Sequence, residues 1–215
     1  MKTTEIKAIF WDFGGVFTTS PFVAFNEYEA TRGIPKNFIR ALNSTNSDTN
    51  AWAQLERSEV TIDEFCSLFE QEALAQGILL DGQEILSCLQ GEPRPDMVRA
   101  LQVLTKQYKT ACLTNNFGAP SDNKSDDTDN DIRSAILDLF DIVIESRTLG
   151  IRKPEAQFYT AACDALDVKP QQVIFLDDLG INLKPARQIG MQTIKVTSSN
   201  QALEELETLL GHKIE

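Results

Sequence analysis

A chain of 215 residues, 42% apolar and 24% charged, has room for one large domain or for a core domain with a small insertion, and its make-up is that of a globular protein. Its formal net charge of −12 argues against nucleic acid and anionic membrane as partners, since both are gripped through clustered Lys and Arg. No apolar run approaches the roughly 18–20 residues that span a bilayer, and the polar start leads straight into a strand rather than a signal peptide. Cys66, Cys88, Cys112 and Cys163 form no CxxC pair, which speaks against zinc sites and a disulfide framework and for a reducing cytoplasm. The single histidine, His212, is a poor foundation for Ser-His-Asp or Cys-His chemistry.

The first predicted element is a buried strand within Ile6–Val16, apolar and rich in β-formers. It runs into Asp12 and then Gly14 and Gly15, which allow unusual backbone angles and close approach of a ligand. Phe17–Pro21 is a short polar connection. From Phe22 to about Gly91 the pattern is helical, with Thr61-Ile-Asp-Glu64 reading as a capping box and Pro93-Arg94-Pro95 closing the block. This divides the chain into a core of residues 1–17 and 94–215 and a helical cap of residues 18–93.

Strict alternation follows. Helix is expected over Asp96–Gln107, strand over Lys109–Leu113 ending in Thr114-Asn115-Asn116, and loop over Gly118–Asn130. Within that loop Asp127–Asp131 resembles the opening of a calcium loop but lacks its glycine and closing glutamate, so it reads as solvated loop. Then come helix Ile132–Leu139, strand Asp141–Glu145, and helix Pro154–Leu166 with its proline in the first turn. Strand Val173–Leu176 ends in Asp177-Asp178, and helix Leu183–Ile189, strand Gln192–Val196 and helix Ala202–Leu210 complete the chain. The fold class is α/β: a Rossmann-like parallel sheet flanked by helices, with the helical cap inserted after the first strand.

Parallel strands bring their carboxyl ends to one crevice, and four of these ends carry polar groups: Asp12, Thr114-Asn115, Lys153 and Asp177-Asp178. Taken singly, Asp12 could cap a turn, Thr114 and Asn115 could be turn residues, and Lys153 could be a surface lysine. Adjacent acids after a buried strand are harder to explain away. At about 4 Å and an effective dielectric of about 20, two carboxylates repel by roughly 4 kcal/mol. Three acids call for a cation, and hard oxygen donors suit Mg²⁺, which also binds phosphate oxygens. Lys153 would offset remaining charge, and Thr114 with nearby amides would bind another phosphate oxygen.

This ordered set resembles the haloacid dehalogenase-like superfamily of hydrolases. Phe175-Leu-Asp-Asp-Leu-Gly-Ile-Asn-Leu-Lys-Pro-Ala-Arg-Gln-Ile-Gly-Met191 is close to the amino-terminal phosphatase domain of soluble epoxide hydrolases. Gly150-Ile-Arg-Lys-Pro-Glu-Ala-Gln-Phe158 is similar to that family's lysine motif, Leu113-Thr-Asn to its second motif, and Leu55-Glu-Arg-Ser-Glu-Val-Thr-Ile-Asp-Glu-Phe65 to a cap segment. The resemblance implies Asp12 as nucleophile, Lys153 as charge stabiliser, and Thr114, Asn115 and Lys153 as substrate contacts. It implies Mg²⁺ held by Asp12, Asp178 and the Gly14 carbonyl, with Asp177 assisting through water and Asn182 steadying the acid loop.

One position departs from the family. Phosphatases of the group carry a second aspartate two residues after the nucleophile, where this chain has Gly14, so the usual general acid is missing. The leading expectation is a Mg²⁺-dependent phosphatase of a small phosphorylated metabolite, slow on poor leaving groups. The alternatives are a 2-haloacid dehalogenase and a non-catalytic binding module on the same fold. All of this requires residue 12 to lie within about 8 Å of residues 177 and 178, since Mg²⁺ ligands sit at about 2.1 Å.

Overall fold

Burial of both sheet faces decides the architecture. The computed structural model describes residues 5–116 and 127–215. Strands β1 (Ala8–Trp11), β2 (Lys109–Thr114), β3 (Ile142–Glu145), β4 (Val173–Asp177) and β5 (Gln192–Lys195) form one sheet in the order β3-β2-β1-β4-β5. Every pairing is parallel. Successive side chains alternate between two cores, as the strand period of 2 requires. Ile9, Trp11, Cys112, Ile174 and Leu176 pack on one face with Met97, Leu101 and Leu206. Ala8, Phe10, Ala111, Leu113, Val173 and Phe175 pack on the other with Phe158, Tyr159 and Leu183.

From β1 the chain steps outward through β2 to β3, then returns to place β4 on the other side of β1. The reversal makes the β1/β4 boundary the point where crossovers leave to opposite faces, which is where open α/β sheets bind ligands. Trp11 is paired with Leu176 there, so Asp12 and Asp177 follow immediately on neighbouring strands.

Helices α6 (Pro95–Leu104), α7 (Asp127–Leu137), α8 (Ser146–Leu149), α9 (Ala156–Ala165), α10 (Gly180–Gln188) and α11 (Ser199–Leu210) belong to the core. Several differ from the sequence expectation, α11 among them, which starts at Ser199 rather than Ala202. Helix α9 starts at Ala156 rather than Pro154, because residues 152–155 form a tight turn closed by the Glu155 N–H on the Arg152 carbonyl. Helix α10 starts three residues early, at Gly180, directly after the acids. The one-turn α8 is too short to show periodicity. The expected loop Gly118–Asn130 lies largely outside the described residues, but its backbone from Asp127 onward is the start of α7. The calcium-like acids at 127–131 therefore open a helix, and their side chains are outside the described residues.

The inserted block holds α1 (Pro21–Arg32), α2 (Phe38–Ser44), α3 (Ala51–Glu56), α4 (Ile62–Leu74) and α5 (Gly82–Ser87). It has its own core of Phe25, Ile39, Leu42, Leu55, Phe65, Phe69 and Ile85, with the Trp52 ring 5.2 Å from that of Phe65. The capping box at Thr61 and Glu64 forms. Three cap helices also receive a glutamate from another helix at their amino termini. Glu29 of α1 accepts from the N–H groups of Asn37 (2.6 Å) and Ile39 (2.9 Å) at the start of α2. Glu72 accepts from Ala51 N–H (2.8 Å) on α3, and Glu70 from Gly82 N–H (2.9 Å) on α5. These carboxylates satisfy donors that a helix leaves open and meet the positive end of its dipole.

Two linkers join the cap to the core, and they lie side by side. Thr18 and Pro93 form an antiparallel bridge, the Thr19 N–H bonds to the Glu92 carbonyl at 2.8 Å, and the Arg94 N–H bonds to the Phe17 carbonyl at 2.7 Å. No helix among the described residues is long and apolar enough to cross a membrane.

Glu29 is 1% exposed, so truncating it strands backbone donors away from water. Glu29→Ala is expected to lower the unfolding free energy by about 1–3 kcal/mol in urea titration, with the slope unchanged. Glu29→Gln, which keeps one acceptor oxygen, should lose less.

Candidate active site

Each acid is delivered by a strand end. Asp12 follows β1, and its own N–H extends the ladder to the Leu176 carbonyl at 2.8 Å. Its Oδ1 then accepts from the Phe13 N–H at 2.6 Å, which turns the chain away from the sheet. Asp177 is the last residue of β4, fully buried, and Asp178 is the first residue beyond it. One carboxylate oxygen from each of Asp12, Asp177 and Asp178 lies within 4.8 Å of the others, inside the roughly 8 Å that the sequence reading requires.

Lys153 bridges this group. Its Nζ lies 2.8 Å from Asp12 Oδ1 and donates to Asp177 Oδ2 at 2.9 Å, with the side chain 1% exposed. A surface lysine is thereby ruled out. Asn182, the second residue after Gly180 in α10, donates through Nδ2 to both oxygens of Asp177 at 3.1 and 3.0 Å. The Leu179 N–H gives Asp177 Oδ1 a further bond at 2.7 Å. Asp177 is thus committed to the protein on both oxygens. Asp178 is freer: its Oδ2 accepts from Ser20 Oγ at 2.9 Å, a residue of the linker into the cap.

Electrostatics follow from burial. Loss of water drives the Asp12 carboxyl well above the usual carboxylate range; Lys153 pulls it down, and Asp177 and Asp178 push it up. Burial likewise takes Asp178 to about 6, with Asp177 adding to the rise. For Lys153 burial opposes the charged form, but Asp12 and Asp177 outweigh it and hold the ammonium more firmly charged than an ordinary lysine. The Cys112 thiol, buried within β2, is pushed up to about 12 and offers no nucleophile. All four cysteines are free thiols.

The loop after Asp12 is shaped by Gly15, whose φ of +72° favours glycine and whose position faces Asp178. A Cβ built there would stand 2.3 Å from Asp178 Oδ2. A Cβ at Gly14 would meet nothing within 4 Å.

Thr114 is the buried last residue of β2, the strand paired with β1. Asn115 is held by three protein groups. Its Nδ2 donates to the Lys153 carbonyl (3.0 Å) and to Glu56 Oε2 (3.0 Å), and its Oδ1 accepts from the Lys153 N–H (2.9 Å). Sequence reasoning missed several neighbours. Ser20 carried no signal beyond being a hydroxyl in a linker. Glu56 and Arg152, which form a buried ion pair, stand 96 residues apart and share no periodicity. Arg133 of α7 lays its guanidinium over the Phe13 ring, 4.3 Å from its centroid.

The model of the haloacid dehalogenase-like hydrolases matches residues 6–190. Mouse bifunctional epoxide hydrolase 2 is 30% identical over 218 residues, covering 96% of this chain and 39% of that protein. A sesquiterpene phosphatase of Aspergillus oryzae is 30% identical over 214 residues, covering 97% of this chain and 98% of its own length. The chain spans between 19% and 39% of the length of the mammalian proteins that it matches. Among solved structures, a family enzyme of Bacteroides thetaiotaomicron complexed with magnesium and inorganic phosphate superposes with a TM-score of 0.60. That match has 18% identity and covers 94% of this chain and 98% of the other, and it speaks for the fold.

The two glycines after Asp12 should respond oppositely to a methyl group. Gly14→Ala is expected to change stability by no more than about 0.5 kcal/mol, as an open position allows. Gly15→Ala must adopt a left-handed backbone, at about 1–2 kcal/mol, and displace Asp178 as well. It should lose more than about 2 kcal/mol in the same unfolding titration.

Proposed function

We propose, from the premise that this chain belongs to the haloacid dehalogenase-like hydrolases, that it is a Mg²⁺-dependent phosphatase of small phosphorylated metabolites. The observation that carries this reading is the meeting of Asp12, Asp177 and Asp178 within 4.8 Å, with the ammonium of Lys153 paired to the first two. Three carboxylates and one lysine, which bridges Asp12 and Asp177, leave two formal negative charges, which one divalent cation matches. The donors are hard oxygens at the carboxyl ends of β1 and β4, the set that suits Mg²⁺. The phosphatase name of the full-length A. oryzae relative supports a small phosphorylated substrate.

Asp12 and Asp178, with the Gly14 carbonyl, hold the ion, and Asp177 serves instead to fix Lys153 through the bonds described above. Mg²⁺ bound there supplies positive charge to the phosphate oxygens and lessens repulsion between substrate and acids. Asp12 attacks phosphorus through a carboxylate oxygen, the bond to the leaving oxygen breaks, and an aspartyl phosphate forms. Water then cleaves that phosphate and restores Asp12. Lys153 orients the Asp12 carboxylate and stabilises the transferred group's charge, and Thr114 contributes its hydroxyl to the same oxygens. The leaving oxygen needs a proton, and Gly14 cannot give one. A positioned acid contributes typically 10²–10⁴-fold, so aryl phosphates, whose leaving groups need less protonation, should turn over faster than alkyl phosphates.

Parallel assays with p-nitrophenyl phosphate and 2-chloropropionate, with Mg²⁺ and with chelator, test the reading. Phosphate release lost with chelator and with Asp12→Asn supports it. Chelator-resistant halide release would identify a dehalogenase, and no turnover of either substrate would identify a binding module. Gly14→Asp should raise alkyl phosphate turnover by about tenfold or more, and raise it more than aryl turnover, because the position has room for a side chain. Equal gains on both substrates would refute the account of the missing acid.

A further inference from the structure

The cap touches the catalytic lysine's loop through charge as well as shape. Glu56, the last residue of α3, is buried, and its Oε2 accepts from Arg152 Nη1 and from Asn115 Nδ2 at 3.0 Å. Its Oε1 accepts from Trp52 Nε1 at 3.2 Å, which fixes the carboxylate from the cap side. Arg152 also donates through Nη2 to the Ser47 carbonyl of the cap. The next cap residue, Arg57, lies 3.5 Å from Glu155 Oε1. Two adjacent cap residues of opposite charge therefore pair with Arg152 and Glu155, which flank Lys153-Pro154.

Between these pairs, Asn115 clamps both backbone polar atoms of Lys153, its N–H at 2.9 Å and its carbonyl at 3.0 Å. The Asn115 amide is in turn held by Glu56. An unbroken run of hydrogen bonds thus joins the cap carboxylate to the backbone of the residue whose ammonium contacts Asp12.

We propose that Glu56 is a positioning residue of this hydrolase: supplied by the cap, it fixes Lys153 through Asn115 and Arg152, so the catalytic ammonium is aligned when the cap is seated. A side chain held by a buried polar network loses its placement when one member is removed, because the remaining donors find no substitute. Misplacement of a catalytic group by about 1 Å costs roughly 10²-fold. The inference rests on the phosphatase reading for its kinetic arm only.

The test is a double-mutant cycle with Glu56→Ala and Asn115→Ala, read in p-nitrophenyl phosphate turnover with Mg²⁺. Each single variant should lower kcat by about 10–100-fold with KM within about threefold of wild type. The double variant should fall within about threefold of the worse single, since groups acting through one relay do not add. Effects that multiply, a loss confined to KM, or a Glu56→Ala kcat within about twofold of wild type would reduce Glu56 to a docking contact and overturn the proposal. Glu56→Gln, nearly the same shape, serves if the alanine variant does not fold. An activity-free readout is hydrogen exchange at the Lys153 amide, measured by NMR. Glu56→Gln should speed it about tenfold or more, and an unchanged rate overturns the proposal. If the wild type hydrolyses no phosphate ester, the phosphatase reading fails, and the exchange rate alone decides the role of Glu56.

Discussion

A lysine ammonium held almost out of water between Asp12 and Asp177 organises the crevice. A charge in that position is tolerated only when paired and hydrogen-bonded, and removing a partner from a buried pair typically costs about 3–5 kcal/mol. The surrounding structure supplies what the pair needs. Asn182 and the Leu179 N–H occupy the remaining capacity of Asp177, and Asn115 fixes the Lys153 backbone. The sheet topology makes the meeting possible, because the acids leave adjacent strands at the one place where the crossovers diverge.

The same crowding divides labour between the paired acids. Asp177 is sealed in and committed to protein donors, while Asp178, which accepts from the Ser20 hydroxyl, stands against the Gly15 turn where a Cβ has no room. Absence of a side chain at Gly14 and at Gly15 therefore has different meanings. At Gly15 it is a steric requirement of the folded loop. At Gly14 there is space, and the missing carboxylate bears on chemistry rather than on folding.

Much of this was legible in the chain itself. Apolar runs ending in acids located β1 and β4, and alternation of strand and helix gave a parallel sheet. The ordered polar ends then named Asp12, Lys153 and Asp177-Asp178 as neighbours, which they are. What could not be read is whatever depends on contacts between distant segments. Asn115 reads as a turn residue or a ligand contact until the loop of Lys153 is seen lying against it. Glu56 and Arg152 sit inside recognisable motifs, yet nothing in either motif states that one faces the other. The start of α9 was misplaced because a proline favourable to a first turn lies instead in the turn that presents Lys153.

The exchange of glutamates among the cap helices has a mechanical consequence. Helices of six or seven residues do not persist alone in water, since nucleation costs more than so few bonds return. Here the beginnings of α2, α3 and α5 each lean on a carboxylate rooted in a different helix. The three short helices therefore stand or fall with α1 and α4, the two long helices that supply the carboxylates.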